Sequence, residues 1–358
     1  MEGLVSFWKG KKVFITGHTG FKGSWMLALL NLFGAECMGY ALPPERPSMY
    51  EIIGGERLCQ SVYADIRDRE RLFKELSEFE PEVVFHLAAQ PLVIEGYREP
   101  ALTFETNVLG TVNLLECARK AGSVKALVNV TTDKVYENAE RGDLFSEGDR
   151  LGGADPYSCS KSCSELVTAC YRESFFSESP AVATARAGNV VGGGDFAKDR
   201  LIPDCVRAAL EGGKIILRNP ASVRPWQHVI EPVFFYLRLA QKLCEGGKEY
   251  RSAFNIGPDE GNFRTAGEVA DIFCKAYGHG LTWLAQGGAY REAGVLKLDN
   301  TKAKQMLGFI PVYGIEETIG LVVEWVKAHE SGRDILSFTE LQIKQYLREL
   351  ENKSFGRT

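Results

Sequence analysis

Through its first half the chain alternates short, continuously apolar runs with stretches whose apolar residues recur every three or four positions. Lys12–Thr16 (KVFIT), Ala35–Tyr40, Glu82–Leu87 (EVVFHL), Ala126–Thr131 (ALVNVT) and Ala181–Arg186 read as strands. Gly23–Phe33, Asp68–Phe79, Pro100–Ala121 and Tyr157–Phe176 read as helices, with Leu72, Phe73 and Leu76 marking the apolar face of the second. Strands that stay apolar at every position are buried on both faces. Their alternation with helices therefore predicts an α/β fold, a doubly wound parallel sheet covered on two sides. Beyond Asn189 the pattern loosens into shorter helices (Pro203–Glu211, Thr265–Tyr277, Glu316–Ala328) and short strands, which predicts a smaller C-terminal, substrate-binding lobe against the carboxyl ends of the sheet. Asn138–Pro156 has no period and is rich in Gly, Asp and Glu. A loop of that length in a compact domain is usually functional. This one ends immediately before Tyr157, so it is expected to wall an active site.

Length and composition then remove several classes. A chain of 358 residues accommodates one large domain and a lobe. A formal charge of −5, without clustered Lys and Arg, argues against a nucleic-acid surface. The greasiest stretch, Val233 to Leu243, is too short to span a bilayer and is interrupted by Arg238. Met1–Lys12 carries Glu2 ahead of any apolar segment and lacks a signal-peptide layout. The expectation is a cytoplasmic protein with no membrane partner. Nine cysteines, odd in number and with no C-x-x-C pair, read as reduced thiols. Cys159, Cys163 and Cys170 form a helical stripe, but no His stands at ligand spacing, so no metal is expected.

Two short motifs carry chemistry. Lys12–Thr16 runs straight into GHTGFKG (residues 17–23) and then a helix. Gly17 permits the tight turn, Gly20 lets a pyrophosphate approach the backbone N–H groups, and Gly23 lets the helix pack close to the strand. The helix N-terminus then faces the phosphate charge, the arrangement of a Rossmann-type dinucleotide site. Tyr157 and Lys161 stand at i and i+4, sharing one helical face, so an ammonium is expected beside a phenol and should lower its pKa. A phenolate so placed can take a hydroxyl proton while hydride leaves the carbon that bears it.

The G-x-x-G-x-x-G spacing, with Ala64–Asp68 (ADIRD), His86–Gln90 (HLAAQ), Thr106-Asn107 and Tyr157-x-x-x-Lys161, resembles the extended short-chain dehydrogenase/reductase family. Longer segments resemble its CDP-glucose 4,6-dehydratase branch: GHTGFKGSW (17–25), FHLAAQPLV (85–93), TNVLGTVNLLE (106–116), DPYSCSK (155–161), RAGNVVGGGD (186–195), DRLIPDCVR (199–207) and LRNPASVRPWQHV (217–229). The resemblance implies NAD as cofactor, held by Gly17, Gly20, Phe21, Gly23, Asp65, Ile66, Leu87, Ala88, Ala89, Asn107, Tyr157 and Lys161, with Asp65 on the adenine amino group. It implies a nucleotide sugar, CDP-glucose, as substrate, contacted by Gln90, Asn189, Arg200, Arg218 and Arg224, with Asn189 and Arg224 at the diphosphate. In the implied reaction Tyr157 deprotonates the C4 hydroxyl, Thr132 orients it, and Lys161 tunes Tyr157 and holds the nicotinamide ribose. Asp133 protonates the departing C6 oxygen. Lys134 stands where related dehydratases carry Glu, and acts as C5 base or as electrostatic stabiliser of the enolate. Residues 1–187 with 228–256 are expected to form the NAD-binding Rossmann domain, and 188–227 with 257–358 the nucleotide-sugar-binding domain. A homo-oligomer, dimer or dimer of dimers, is implied as well.

Two stretches depart from the pattern. The acidic residue that usually ends the second strand and grips a ribose is absent, Gly39-Tyr40-Ala41-Leu42 standing there. Ile94-Glu95-Gly96 replaces an expected Arg at 94 and Ser at 96. Simpler readings stay open for several residues: a helix cap for Asp68, a surface ion pair for Arg218, core packing for Trp226, and structural roles for His18 and His86. Three rival functions also stay open: a nucleotide-sugar 4-epimerase, a dehydratase for another nucleotide, and a cofactor-sensing binding protein. The last has no need of Thr132, Asp133, Tyr157 and Lys161 together.

Overall fold

The computed structural model describes residues 2–139, 142–287 and 294–355. In chain order its strands are β1 (Lys12–Thr16), β2 (Glu36–Ala41), β3 (Gln60–Tyr63), β4 (Val83–His86), β5 (Ala126–Val130), β6 (Ala181–Ala187), β7 (Asn189–Val191), β8 (Ile215–Leu217), β9 (Val223–His228), β10 (Ala253–Ile256), β11 (Phe263–Thr265) and β12 (Trp283–Ala285). Seven of them form one parallel sheet in the order β10-β6-β5-β4-β1-β2-β3. The winding reverses between β1 and β4, and in such sheets the crevice outside the carboxyl ends at the reversal takes ligands.

The continuous apolar runs split their side chains between two cores, because successive residues of a strand point to opposite faces. Val13, Ile15, Val83, Phe85 and Val128 enter the core beneath the Phe21–Leu32 and Ile230–Cys244 helices. Phe14, Val84, Leu127 and Val182 enter the other, against the Arg69–Phe79 and Gly110–Ala121 helices. Asp68 caps the former helix, its side chain accepting from Arg71 N at 3.0 Å, so the cap reading is the one realised.

The expected single helix from Pro100 to Ala121 is helical throughout but not uniform. A π-helical turn, Glu105–Leu109, separates Pro100–Phe104 from Gly110–Ala121. Such turns recur at functional sites, and this one holds Asn107. Two long helices escaped the periodicity reading. Ile230–Cys244 buries most of its residues, Glu231 and Pro232 of its first turn among them. Ile335–Phe355 packs back against Phe21–Leu32, and its Tyr346 ring lies 5.5 Å from that of Phe234.

The second half adds a three-stranded sheet, β11-β9-β7, and a two-stranded one, β12-β8. β9 carries Arg224 and runs parallel to β7, pairing Trp226 with Asn189. None of the helices of the described residues is long and apolar enough to cross a membrane.

Candidate active site

The chain leaves β5 at Val130 and continues into Thr131, Thr132 and Asp133, on the carboxyl side of the sheet. The Pro156–Phe175 helix brings Tyr157 and Lys161 to the same place. Its start is fixed by Pro156 in the first turn and by Asp155, whose carboxylate accepts from Ser158 N at 2.9 Å and from Ser158 Oγ at 2.5 Å. Gly96 closes over that first turn: a Cβ there would stand 3.2 Å from Tyr157 N.

Tyr157 and Lys161 are both buried, and burial dominates their acidities. The phenol is pushed up to about 12 by desolvation, while a hydrogen bond with Thr132 and the charge of Arg200 pull it down and Asp133 and Asp155 raise it. That reverses the direction expected from sequence. The physical reason is burial, which outweighs the charges near the phenol; Lys161 Nζ donates to the Val130 carbonyl at 3.2 Å. Lys161 is itself lowered to about 8 by desolvation, with Glu165 raising it.

Asp133 is 1% exposed. Its Oδ1 accepts from Thr132 Oγ1 at 3.0 Å and faces Lys134 Nζ at 3.5 Å, whereas its buried Oδ2 has no partner among the described residues. An unpaired buried carboxylate oxygen is costly, and such groups are seldom left unused. Lys134 stays partly open to solvent. A further cation, Lys22, passed unnoticed in the sequence. Burial lowers it to about 7, with Arg200, Lys161 and Lys134 pushing the same way and Asp133 opposing, so four cations share one cleft with one carboxylate. Its place inside the glycine-rich turn was the available signal.

The turn after β1 has the form a dinucleotide requires. Gly17 has φ 77°, and a Cβ there would sit 2.6 Å from Ala88 N; one on Gly23 would sit 2.3 Å from Gly17 O. Gly20 differs, with its nearest neighbour 3.4 Å away, and as N-cap of Phe21–Leu32 it offers no capping side chain. First-turn N–H groups are thus left for a ligand, which fits a pyrophosphate and so the NAD molecule. Phe21 lies against Gly192 and Ile66 against Gly110. Leu87, Ala88 and Ala89 extend β4, and Ala88 N donates to Thr16 Oγ1 at 3.2 Å.

Three residues expected at ligands also make hydrogen bonds within the protein. Both oxygens of Asp65 are held by Arg67, at 2.7–3.1 Å, and Arg67 also pairs with Glu105 at 2.8 Å. The Asn107 amide accepts from Gln90 N (2.9 Å) and donates to Gln90 O (3.1 Å) and Ser160 Oγ (2.8 Å). Gln90 Nε2 donates to Thr103 Oγ1 at 2.8 Å, and its Oε1 accepts from Leu92 N at 2.6 Å. These contacts make a brace between the π turn and the Tyr157 helix. His18 covers Gly39, where a Cβ would stand 2.2 Å from its ring, and meets Ser61 Oγ at 3.2 Å, so an imidazole fills the end of β2 that lacks an acid. His86 is enclosed between Thr16 Oγ1 (2.7 Å) and Thr111 Oγ1 (3.1 Å). Burial lowers the two to about 4 and about 3, in keeping with structural roles.

In the second half of the chain, Asn189 Oδ1 is buried without a partner among the described residues. Arg224, 4% exposed, donates to the carbonyls of Val223 (2.8 Å) and Gly294 (3.3 Å). Arg200 donates to Asp195 Oδ2 at 3.2 Å and acts electrostatically on Tyr157 and Lys22, which places it in the cleft. Arg218 is tied at the surface to Asp199, through Oδ1 and the carbonyl, each at 2.7 Å; this is the ion-pair arrangement. Glu95 pairs with Arg98 at 3.5 Å while Ile94 is buried, so the departure at 94–96 brings no unpaired charge. Of the loop after Asn138, residues 140 and 141 lie outside the described residues; Phe145 stacks on Tyr136 with centroids 4.9 Å apart.

Residues 13–257 match the NAD dependent epimerase/dehydratase family. The chain is 45% identical over 350 residues to a CDP-glucose 4,6-dehydratase of Salmonella typhimurium, covering 96% of this chain and 98% of that protein. A solved dTDP-glucose 4,6-dehydratase from Streptomyces venezuelae with NAD bound superposes with a TM-score of 0.77 at 26% identity, covering 91% and 99% of the two chains. A UDP-glucose 4-epimerase from Thermus thermophilus in complex with NAD gives 0.75 at 25% identity, covering 88% and 99%.

Proposed function

The chain belongs to the NAD dependent epimerase/dehydratase family, and from that premise we propose that it is a CDP-glucose 4,6-dehydratase, converting CDP-D-glucose to CDP-4-keto-6-deoxy-D-glucose. The observation that carries this reading is the unpartnered, buried Oδ2 of Asp133 next to the Thr132–Tyr157 pair. A 4-epimerase never breaks the C6–oxygen bond and needs no acid there. A dehydratase does.

When bound, NAD supplies the redox chemistry, taking hydride from C4 and returning it to C6. Tyr157 accepts the C4 hydroxyl proton while Thr132 orients that hydroxyl. The phenol's high pKa means that Tyr157 is neutral at the outset and must first lose its own proton; the cations of the cleft favour that phenolate, which then takes the C4 hydroxyl proton. The C4 ketone acidifies C5, Lys134 removes or electrostatically assists removal of that proton, and Asp133 delivers a proton to the C6 oxygen as it leaves as water. Arg224 and Asn189 receive the diphosphate, and Arg200 and Lys22 contribute positive charge to the same cleft. The first-turn N–H groups after Gly20 hold the cofactor pyrophosphate.

By the same reading, residues 1–187 with 228–256 bind the cofactor and 188–227 with 257–358 the sugar nucleotide. The protein acts in the cytoplasm, which its free cysteines suit. It works as a homo-oligomer, and exposed Leu109 and Leu166, on the helices that frame Tyr157, support a self-association face.

The deciding experiment incubates the purified protein and NAD with CDP-, dTDP-, UDP- and GDP-linked hexoses. The expected outcome is a product that absorbs near-ultraviolet light in alkali, from CDP-glucose alone, with no net accumulation of reduced cofactor. A C4 epimer, or turnover of another nucleotide in preference, refutes the assignment.

A further inference from the structure

Glu165 and Arg186 form a buried ion pair beneath the site that the reaction described above does not use. Glu165 lies one helical turn beyond Lys161 and is 3% exposed. Its Oε1 accepts from Thr131 Oγ1. Its Oε2 accepts from Thr184 Oγ1 at 2.7 Å and from Arg186 Nη2 at 2.9 Å. Arg186 goes on to donate through Nη1 to Tyr136 OH at 2.9 Å and to the Glu147 carbonyl at 3.3 Å, with its guanidinium 5.1 Å from the Tyr136 ring centroid. Tyr136 OH donates to Asn255 Oδ1 at 2.5 Å, Asn255 Nδ2 to the Phe145 carbonyl at 2.8 Å, and Asn255 N to Glu147 Oε1 at 2.7 Å.

A buried ion pair is seldom the cheapest way to stabilise a core, since neutral groups of similar volume do as well or better. Its placement here is informative. One carboxylate touches the residue just before Thr132-Asp133, sits one turn below Lys161, and binds the arginine that anchors Tyr136 and Glu147 beyond Asp133. Thr131, Glu165 and Arg186 are distant in sequence, so each hydrogen bond joins two separate pieces of the site. Side chains that act on a substrate need supporting hydrogen bonds that hold them to within a fraction of an ångström.

We propose that the Glu165–Arg186 pair is the positioning device of this active site, holding Lys161 and the Thr132–Asp133 segment in one register and coupling both to the loop at Phe145–Glu147. Glu165 also keeps Lys161 charged, as its carboxylate raises an amine that burial lowers to about 8. The other titratable groups that interact with that amine do not replace it, since neither Lys22 nor His86 carries negative charge. The inference rests on the assignment of Tyr157 and Lys161 to the sugar oxidation.

The test uses Glu165→Gln and the double variant Glu165→Gln/Arg186→Met, with folding checked by circular dichroism. At pH 8, kcat on CDP-glucose should fall roughly fivefold, the effect of about one pKa unit on an amine that titrates near that pH, while KM changes less than about twofold. The alkaline limb of the kcat profile should move to lower pH, because Lys161 sheds its proton earlier. Cyanate labelling of the Lys161 peptide across pH, read by mass spectrometry without substrate, should show the same displacement independently of turnover. A merely structural pair predicts lower thermal stability with an unchanged profile and labelling midpoint, and that result overturns the proposal. If the single variant does not fold, the double variant, which leaves no buried charge unpaired, decides by the same two readouts; its own failure to fold also overturns the proposal, since the pair would then be holding the core. Tyr157→Phe serves as the separate control. Wild-type turnover in that variant sinks the assignment of the reaction whatever Glu165 does.

Discussion

Asp133 and Lys134 meet at 3.5 Å, yet only Asp133 is fully enclosed, and this asymmetry separates their variants. Asp133→Asn should retain the first oxidation, visible as transient reduced cofactor with CDP-glucose, and lose water elimination. Equal loss of both steps would remove Asp133 as a separate acid. Lys134→Met should also keep the oxidation while slowing C5 deprotonation by roughly 10²–10⁴, the usual contribution of a positioned acid or base. Solvent deuterium entering C5 measures it, and wild-type incorporation would assign that proton to another group. Thr132, Asp133, Tyr157 and Lys161 were legible in the sequence because their arrangement is local: a strand end, and one turn of helix. Hydrogen-bond partners were not. Asp65, Asn107 and Gln90 were read as ligand contacts, and no spacing reveals that Arg67, Ser160 and Thr103 engage their polar atoms. Glu165 stayed invisible for the same reason, the groups that donate to it lying on β6 and after β5.

At the scale of elements, the β1 turn shows how three glycines in one motif differ physically. A Cβ on Gly23 meets backbone, Gly17 O at 2.3 Å and His18 Cα at 2.6 Å, and neither can step aside. Gly23→Ala should therefore destabilise by at least the ~1–3 kcal/mol of ordinary overpacking, read as a lower urea midpoint. Gly20→Ala meets nothing closer than 3.4 Å, so it should leave the midpoint near wild type and weaken NAD in a binding titration. Equal effects of the two on folding would contradict this reading of the turn. Strands such as Lys12–Thr16 and helices such as Arg69–Phe79 were readable because burial on two faces or on one stripe leaves a period. Ile230–Cys244 has Glu231 and Pro232 in its first turn and carries Arg238, Gln241 and Lys242 within its apolar run, which hid its span, and the π turn at Asn107 costs no residue that a pattern would register.

At the scale of the molecule, buried titrating groups shape stability against pH. His18, His86 and His228 are lowered by burial to about 4, about 3 and about 3. Their contribution is full above pH 6.5 and is lost as pH falls through those values, because the unfolded chain binds protons the native one refuses. Glu231 works the other way. Its Oε1 accepts from Val312 N (2.6 Å) and Tyr313 N (3.1 Å), yet burial raises it to about 7. The native state holds its proton between pH 4.5 and 7 while the unfolded state has released it, so stability falls as pH rises through that window. Glu231→Gln should raise stability at pH 8, by at most about 3.5 kcal/mol at ~1.4 kcal/mol per pH unit, seen as a higher thermal midpoint, and match wild type near pH 4. An equal gain at both pH values would show that the charge is not the cause. The Ile335–Phe355 helix, which lies on Phe21–Leu32, has a consequence in time. A ribosome adds ~5–20 residues per second, so the stripe of the early helix that this late one covers waits roughly 15–60 s in the nascent chain. A translation product stopped short of Ile335 would contain every strand of the nucleotide-binding sheet and still leave that stripe bare for chaperone or protease.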